Sequence, residues 1–180
     1  MTPTIMTSIK VAALAVLLGA IGLIDRAVAA EDATITAFSA WQGQGEMFKT
    51  GAEEATFLGA LGGTVYVETE HGPLQSGHLV CPFMLKIDLK TAAQTGSGNC
   101  TITAADGAQI FAEVSCAGIH LVGCNGDFKL TGGTDRFKEI SGGGPVVVRS
   151  EIGGMVLHAD SGNLQTNGIM YWKALHYSIP

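Results

Sequence analysis

Residues 130–145, LTGGTDRFKEISGGGP, decide the fold of this chain, because two glycine clusters flank a short segment with basic and aromatic side chains. Glycine lets the backbone take a positive φ, or approach another segment closely, without a Cβ clash. This glycine-rich stretch therefore predicts two sharp reversals around a one-turn excursion, which Phe137 and Ile140 anchor on a core. The residues assigned to this structural turn are Gly132, Gly133, Asp135, Phe137, Gly142, Gly143 and Gly144.

A phosphate-binding loop is the alternative interpretation of these glycines, and the residues that follow argue against it. A P-loop needs a Lys followed by Ser or Thr after its last glycine, and then a helix. Here Pro145 and the β-branched residues 146–148 follow instead. The stretch is therefore predicted to join two strands and not to hold phosphate.

The rest of the chain shows the period-two alternation of β-strands. In residues 79–89, LVCPFMLKIDL, six apolar side chains fall on one face. Shorter β-type segments separated by turn residues precede and follow it, and residues 47–61 are predicted as a strand with a short helical insert. Strands and helices do not alternate, which disfavours a parallel α/β sheet. The pattern predicts an all-β fold, an antiparallel barrel or sandwich.

Residues 1–30 have the features of a secretory signal peptide. The first ten residues carry one lysine and no acid, residues 11–24 are an apolar run, and Ala29 and Ala30 supply small residues for cleavage. The run is shorter than the ~20 residues that span a bilayer, so an uncleaved anchor is the less favoured alternative. The sequence predicts one barrel domain, residues 31–180, that is periplasmic or secreted, with no stable membrane span after cleavage.

Composition and motifs exclude several classes of function. The formal net charge is −6 and the cations are scattered, whereas nucleic-acid binding requires a basic patch. The five histidines form no metal-binding array, and there is no Gly-x-Ser-x-Gly nucleophile motif. We therefore expect no nucleic-acid partner, no metal and no cofactor. Catalytic residues stay unknown, and whether the protein is an enzyme stays open.

A predicted hairpin limits how the cysteines pair. Residues 99–104 and 108–116 are joined by a three-residue loop with Gly107 in the left-handed conformation. This register places Cys100 opposite Ala112, and Cys116 then lies roughly 13 Å further along at ~3.3 Å per residue. Bridged Cα atoms are at most about 7 Å apart. A bridge between Cys100 and Cys116 is therefore disfavoured.

Four cysteines in a chain predicted to be exported indicate two disulfides. Two sets of pairs remain after the hairpin argument. We prefer Cys81–Cys100 with Cys116–Cys124, because the second pair flanks a short reversal that contains glycine. The other set is Cys81–Cys116 with Cys100–Cys124.

The last predicted strand is the richest aromatic segment of the chain. It contains Met170, Tyr171, Trp172 and Tyr177. These side chains either fill the barrel or form the wall of an apolar ligand cavity. The function predicted from them is non-covalent binding of a small apolar or aromatic ligand in the barrel mouth. The alternatives are a lyase or isomerase that guides a reactive apolar intermediate, and a structural or envelope interaction protein. The oligomeric state stays open.

Residues 127–145, DFKLTGGTDRFKEISGGGP, resemble the Gly-Gly-Thr-Gly-x-Phe…Gly signature of the allene oxide cyclase and dirigent proteins. The resemblance implies an eight-stranded calycin-like barrel, with the signature bridging two of its strands. The chain is also similar to uncharacterised exported bacterial relatives of that barrel, in which cysteines precede the signature as Cys116 and Cys124 do here.

One position departs from that signature. Asp135 stands where the family usually has the second turn glycine. We expect it either to adopt the left-handed conformation, which Asp tolerates better than most residues, or to reshape the turn. The polar pocket residues of the cyclases lie outside the matched stretch. The resemblance therefore implies the barrel and not the cyclase activity.

Overall fold

The computed structural model describes residues 30–69, 72–151, 156–158 and 163–180. Within these ranges the chain forms nine β-strands and a one-turn 3₁₀ helix at Asp135–Phe137. The strands are β1 (Glu31–Lys49), β2 (Glu54–Val67), β3 (Ser76–Asp88), β4 (Ala93–Ala104), β5 (Gln109–Ile119), β6 (Gly123–Gly133), β7 (Ser141–Ser150), β8 (Val156–His158) and β9 (Asn163–Ile179). The predicted signal peptide falls on residues 1–30, of which 1–29 lie outside the described residues. No helix in the described ranges is long and apolar enough to cross a membrane.

Eight of these strands close into an antiparallel barrel, as predicted. Consecutive strands pair from β1 to β7, β7 pairs with β9, and β9 pairs back to β1. The short β8 pairs with the first residues of β9. The helical insert predicted within residues 47–61 was wrong. The chain instead makes a tight turn at residues 50–53, where the backbone N–H groups of Thr50 and Gly51 both donate to the carbonyl of Glu54.

The interior of the barrel is filled by side chains. Alternation along β3 buries Leu79, Cys81, Phe83 and Ile87, in agreement with the pattern of residues 79–89, but Leu89 lies beyond the end of the strand and is 51% exposed. Phe128 of β6 packs edge-to-face on Trp172 of β9, with ring centroids 5.1 Å apart. Small barrels are commonly filled in this way. The inward side chains of the strands thus form one packed core.

The glycine-rich stretch connects β6 to β7. Phe137 and Ile140 of the excursion are 0% and 2% exposed, so both pack into the end of the core. Asp135 has a φ of 50°, in the left-handed region. Its carboxylate accepts a hydrogen bond from the hydroxyl of Thr134 at 3.0 Å. The Asp side chain thus takes part in the turn that its backbone forms.

The glycines of this stretch serve two geometric purposes. Gly132, Gly142 and Gly143 have φ values of 133°, 128° and 156°, which side chains rarely tolerate. Gly133 and Gly144 instead lie against neighbouring backbone: a Cβ there would overlap a carbonyl oxygen of Gln109 or Ala174, respectively. All five positions therefore exclude a side chain for steric reasons.

Two disulfides brace adjacent strands. They join Cys81 to Cys100, between β3 and β4, and Cys116 to Cys124, between β5 and β6. This is the pairing preferred from the sequence. The hairpin register behind it is also confirmed, because Cys100 lies opposite Ala112. Disulfides are typical of proteins in an oxidising compartment.

Candidate functional site

The aromatic residues predicted to bind ligand lie on both sides of β9. Met170, Trp172 and Tyr177 point into the barrel and are at most 1% exposed. Tyr171 points outward and is half-buried, opposite Phe38 of β1. The structure therefore brings three of the four together inside the barrel and separates Tyr171 from them.

A β-bulge in β9 places Tyr177 inside. Ile35 pairs with Leu175 and Ala37 pairs with Trp172, so two residues of β9 oppose the single residue Thr36 of β1. The hydroxyl of Thr36 donates to the carbonyl of the bulged residue Lys173 at 2.9 Å. An extra residue reverses the facing of every side chain after it. Without the bulge Tyr177 would face outward.

Trp172 and Tyr177 line a small cavity, the mouth cavity, at the end of the barrel that carries the 3₁₀ helix. Its volume is about 30 Å³ and its wall is entirely apolar, with Leu74 and Ile140 among the lining side chains. Ligand pockets usually hold about 300–1,000 Å³, while one water occupies about 30 Å³ of liquid. The mouth cavity is thus far smaller than a site for a drug-sized molecule.

Two polar groups lie beside this apolar wall. The hydroxyl of Tyr177 donates to the carboxylate of Glu31. Burial, followed by that carboxylate, raises the pKa of Tyr177 well above its ordinary value. The indole N–H of Trp172 is buried and has no hydrogen-bond acceptor among the described residues. A buried donor without an acceptor lowers the stability of the folded protein. The indole N–H of Trp172 thus lacks the hydrogen bond that the hydroxyl of Tyr177 makes.

Arg136 lies outside the mouth cavity and contacts the segments around it. Its Nε donates to the carboxylate of Asp106 at 2.8 Å, and its Nη1 donates to the carbonyl of Pro73 at 2.5 Å. Its guanidinium lies 4.1 Å from the ring centroid of Phe137. The hydrogen bond from Arg136, followed by one from the backbone N–H of Ala108, lowers the pKa of Asp106. Arg136 thus ties three segments together across the end of the barrel.

The outside of the barrel carries a much larger recess. This outer groove crosses the outward faces of β2, β1 and β9, with edges on β3 and β7, and holds about 1270 Å³. Ala40, Ala60 and Gly62 form the low part of its floor. Because these residues project little or no side chain, the floor lies below the larger residues around it, and the recess is open to solvent.

Four amide side chains occupy the rest of the floor. Gln42 of β1 lies directly opposite Asn167 of β9, and Gln44 lies opposite Gln165 one pleat further along. The amide nitrogen of Asn167 donates to the carboxylate of Glu151 at the edge on β7. The groove therefore presents a two-by-two set of amides, one of them oriented by a neighbouring acid.

The rim of the outer groove carries exposed apolar side chains. Tyr66 is 46% exposed and stacks on Phe38, with ring centroids 5.3 Å apart and an angle of 26° between the ring planes. Val80 and Ile169 are 38% and 52% exposed on opposite edges. Ligand sites combine apolar and aromatic side chains with a few placed polar groups, and the outer groove contains both kinds.

Sequence reasoning missed this groove, since its residues lie on five strands and each has the ordinary pattern of an outward face. Gly62 was the one signal available, because glycine weakens the interior of a strand. No three metal-ligating side chains come together anywhere in the described ranges. No family model and no curated protein matches this chain. Its function must therefore be argued from the geometry above.

Proposed function

We propose that the protein binds, non-covalently and in the outer groove, a small ligand that has an apolar or aromatic face. One observation carries this proposal: the barrel is filled by its own side chains, whereas its outer face has a recess of ligand size. The stacked pair of Phe38 and Tyr66 supplies a rigid aromatic edge. Aromatic faces and a few placed polar groups are what small-molecule sites require.

We place this activity in the periplasm or outside the cell. The two disulfides support that location, because bonds of this kind persist in oxidising compartments. We also propose that the chain is an exported relative of the allene oxide cyclase and dirigent barrels. The eight-stranded closure supports this relationship, and so does the position of the glycine-rich stretch between two adjacent strands.

The mouth cavity is the second candidate site, for a small apolar molecule that carries one hydrogen-bond acceptor and enters only if the mouth widens beyond its volume of about 30 Å³. The unpaired indole N–H of Trp172 beside an apolar wall favours it. A lyase or isomerase acting there has less support, because the hydroxyl of Tyr177 already donates to Glu31. Its raised pKa also makes it a weaker acid.

Fluorescence titration of the disulfide-bonded protein with N-phenyl-1-naphthylamine, a neutral aromatic probe, tests the proposal. We expect saturable binding that Tyr66→Ala weakens about tenfold, a loss of about 1.4 kcal/mol. Trp172→Phe tests the mouth cavity. Phe111→Ala is the matched control, since Phe111 is 37% exposed on the outer face but does not line the groove.

The variants separate the two candidate sites. If Trp172→Phe changes the affinity and Tyr66→Ala does not, the probe binds at a mouth that has widened beyond its volume of about 30 Å³, and the outer groove is the wrong site. Absence of saturable binding by the native protein overturns both candidates. An equal loss in Phe111→Ala and Tyr66→Ala indicates general adsorption to apolar surface, which also contradicts the proposal.

A further inference from the structure

We propose that the ligand of the outer groove is a neutral oligosaccharide, with one pyranose ring on the four amides and the apolar face of another ring of the same ligand against Tyr66, which lies about 13 Å further along the strands. This inference rests on the proposed function, because it names the chemistry of a ligand for the same groove. Three features support it: the spacing of the amides, the balance of one cation by one anion at the edge of the groove, and the glycine at position 62.

The amides match the size and the hydrogen bonding of a sugar ring. Neighbouring strands are about 4.8 Å apart, and alternate residues of one strand are about 6.7 Å apart. The set formed by Gln42, Gln44, Gln165 and Asn167 thus covers an area close to that of one pyranose. Each amide offers one acceptor oxygen and two N–H donors. Sugar hydroxyls both donate and accept, so a ring can use both kinds of group at once.

The groove carries one charge of each sign, on Arg149 and Glu151, and both side chains are hydrogen-bonded to neutral protein groups. The guanidinium of Arg149 donates to the carbonyls of Val148 and Cys124, at 2.9 and 3.3 Å, and to the side-chain oxygen of Asn125 at 3.2 Å. Glu151 accepts the bond from Asn167. No lysine is among the described residues that line the groove. Phosphate and carboxylate ligands usually require such cations, so this groove favours a neutral ligand.

Tyr66 supplies the apolar contact that sugars need. One face of a pyranose presents C–H groups, which pack on the electron-rich face of an aromatic ring. Stacking on Phe38 holds the tyrosine ring in place beside the floor. A ring that is already immobilised loses less entropy when the ligand binds.

Gly62 keeps the floor of the groove low at a position where the fold does not require a glycine. Among the glycines in the described ranges, it combines an ordinary φ with open space, since an added Cβ would meet nothing nearer than the carbonyl oxygen of Leu79 at 3.9 Å. The fold therefore does not require glycine here, although glycine weakens a strand interior. Gly62 lies between Gln42 on β1 and Val80 on β3. A larger side chain would rise from the floor and fill the recess.

The test is isothermal titration calorimetry of the disulfide-bonded protein with cellohexaose, chitohexaose and maltohexaose, which are neutral oligosaccharides. We expect at least one of them to bind, and Gly62→Val to weaken that binding at least tenfold with an equal or higher melting temperature. Gln42→Ala should weaken it severalfold. Thr103→Val is the control, because it also places a valine at an outward strand position, on β4 outside the groove.

Each outcome decides a different point. If N-phenyl-1-naphthylamine binds in the groove and no oligosaccharide binds, the saccharide is wrong and the proposed function stands. If neither binds, both are wrong. Saccharide binding that Gly62→Val and Gln42→Ala leave unchanged overturns the assigned site. Tighter binding of a sulfated oligosaccharide than of its neutral counterpart overturns the neutral ligand. If Gly62→Val does not fold, Gln42→Ala decides alone.

Discussion

The inside of this barrel and its outer groove differ in how closely their residues are packed against the rest of the protein. Gly63 faces inward, and a Cβ there would overlap the backbone of Ala40, whereas Gly62 next to it faces open space. Trp172 is buried against Phe128 inside, while Tyr66 keeps almost half of its surface exposed outside. Packing accounts for the inner residues, apart from the buried indole N–H groups of Trp41 and Trp172, which have no acceptor among the described residues. The outer residues are left unexplained by packing, which is why we look for a ligand there.

The largest expected effect on stability comes from comparing two adjacent residues of β9, one facing inward and one facing outward. Trp172→Ala should lower the free energy of unfolding by about 3–5 kcal/mol, because a large buried side chain leaves a cavity. Tyr171→Ala, its neighbour on the outer face, should cost about 1 kcal/mol or less, the usual value of a cross-strand pair. Urea denaturation of the disulfide-bonded protein at pH 7 measures both. Equal losses would contradict the filled interior.

Substitutions of the two adjacent glycines of β2 should change stability by intermediate amounts and in opposite directions. Gly63→Ala should destabilise the protein by about 1–3 kcal/mol, since the added methyl forces the backbone of Ala40 to move. Gly62→Ala should be neutral or stabilising by up to about 1 kcal/mol, because glycine costs entropy in a strand. Thermal unfolding monitored by circular dichroism compares them. A destabilised Gly62→Ala would mean that the fold needs this glycine, and it would remove the argument for binding.

The smallest effect concerns a surface charge pair at the mouth. The pKa of Asp106 is lowered in the folded protein, chiefly by Arg136. The carboxylate therefore contributes stability above its unfolded pKa of about 3.9, and this contribution is lost as the pH falls through the lower folded value. The difference in unfolding free energy between the native protein and Asp106→Asn should shrink between pH 5 and pH 2.

Urea denaturation at pH 2, 3 and 5 follows that difference. Glu113→Gln serves as the control, because Glu113 is an exposed acid on the outer face of β5. A difference for Asp106→Asn that stays constant across this range, or grows toward pH 2, contradicts the contribution assigned to the pair with Arg136.

Most of the fold was predictable from the sequence. The alternation of residues 79–89 predicted the inward set of β3, and the turn at Gly107 predicted the register that led to the observed disulfides. These inferences succeed because strand facing and turn conformation depend on residues close in the chain. The helical insert within residues 47–61 was wrong because the helix-forming residues there pair with β1 across the turn at residues 50–53, and with β3 on the other side.

The candidate site was predictable only in part. The aromatic residues of β9 were identified from composition, but the bulge opposite Thr36 determines that Tyr177 faces inward with Trp172. The outer groove was not identified. Its amides come from positions 42, 44, 165 and 167, and no local pattern relates residues so far apart in the chain.

The sequence by itself determined that this chain makes antiparallel strands, two disulfides and a glycine-rich reversal between β6 and β7. Those features follow from period-two alternation, cysteine spacing and backbone sterics, all of which act over a few residues. Only the tertiary structure decided that the barrel is filled and that its outer face is recessed. Closing the barrel pairs β9 with β1, which places Gln165 and Asn167 opposite Gln44 and Gln42 on the face that also carries Gly62 and Tyr66.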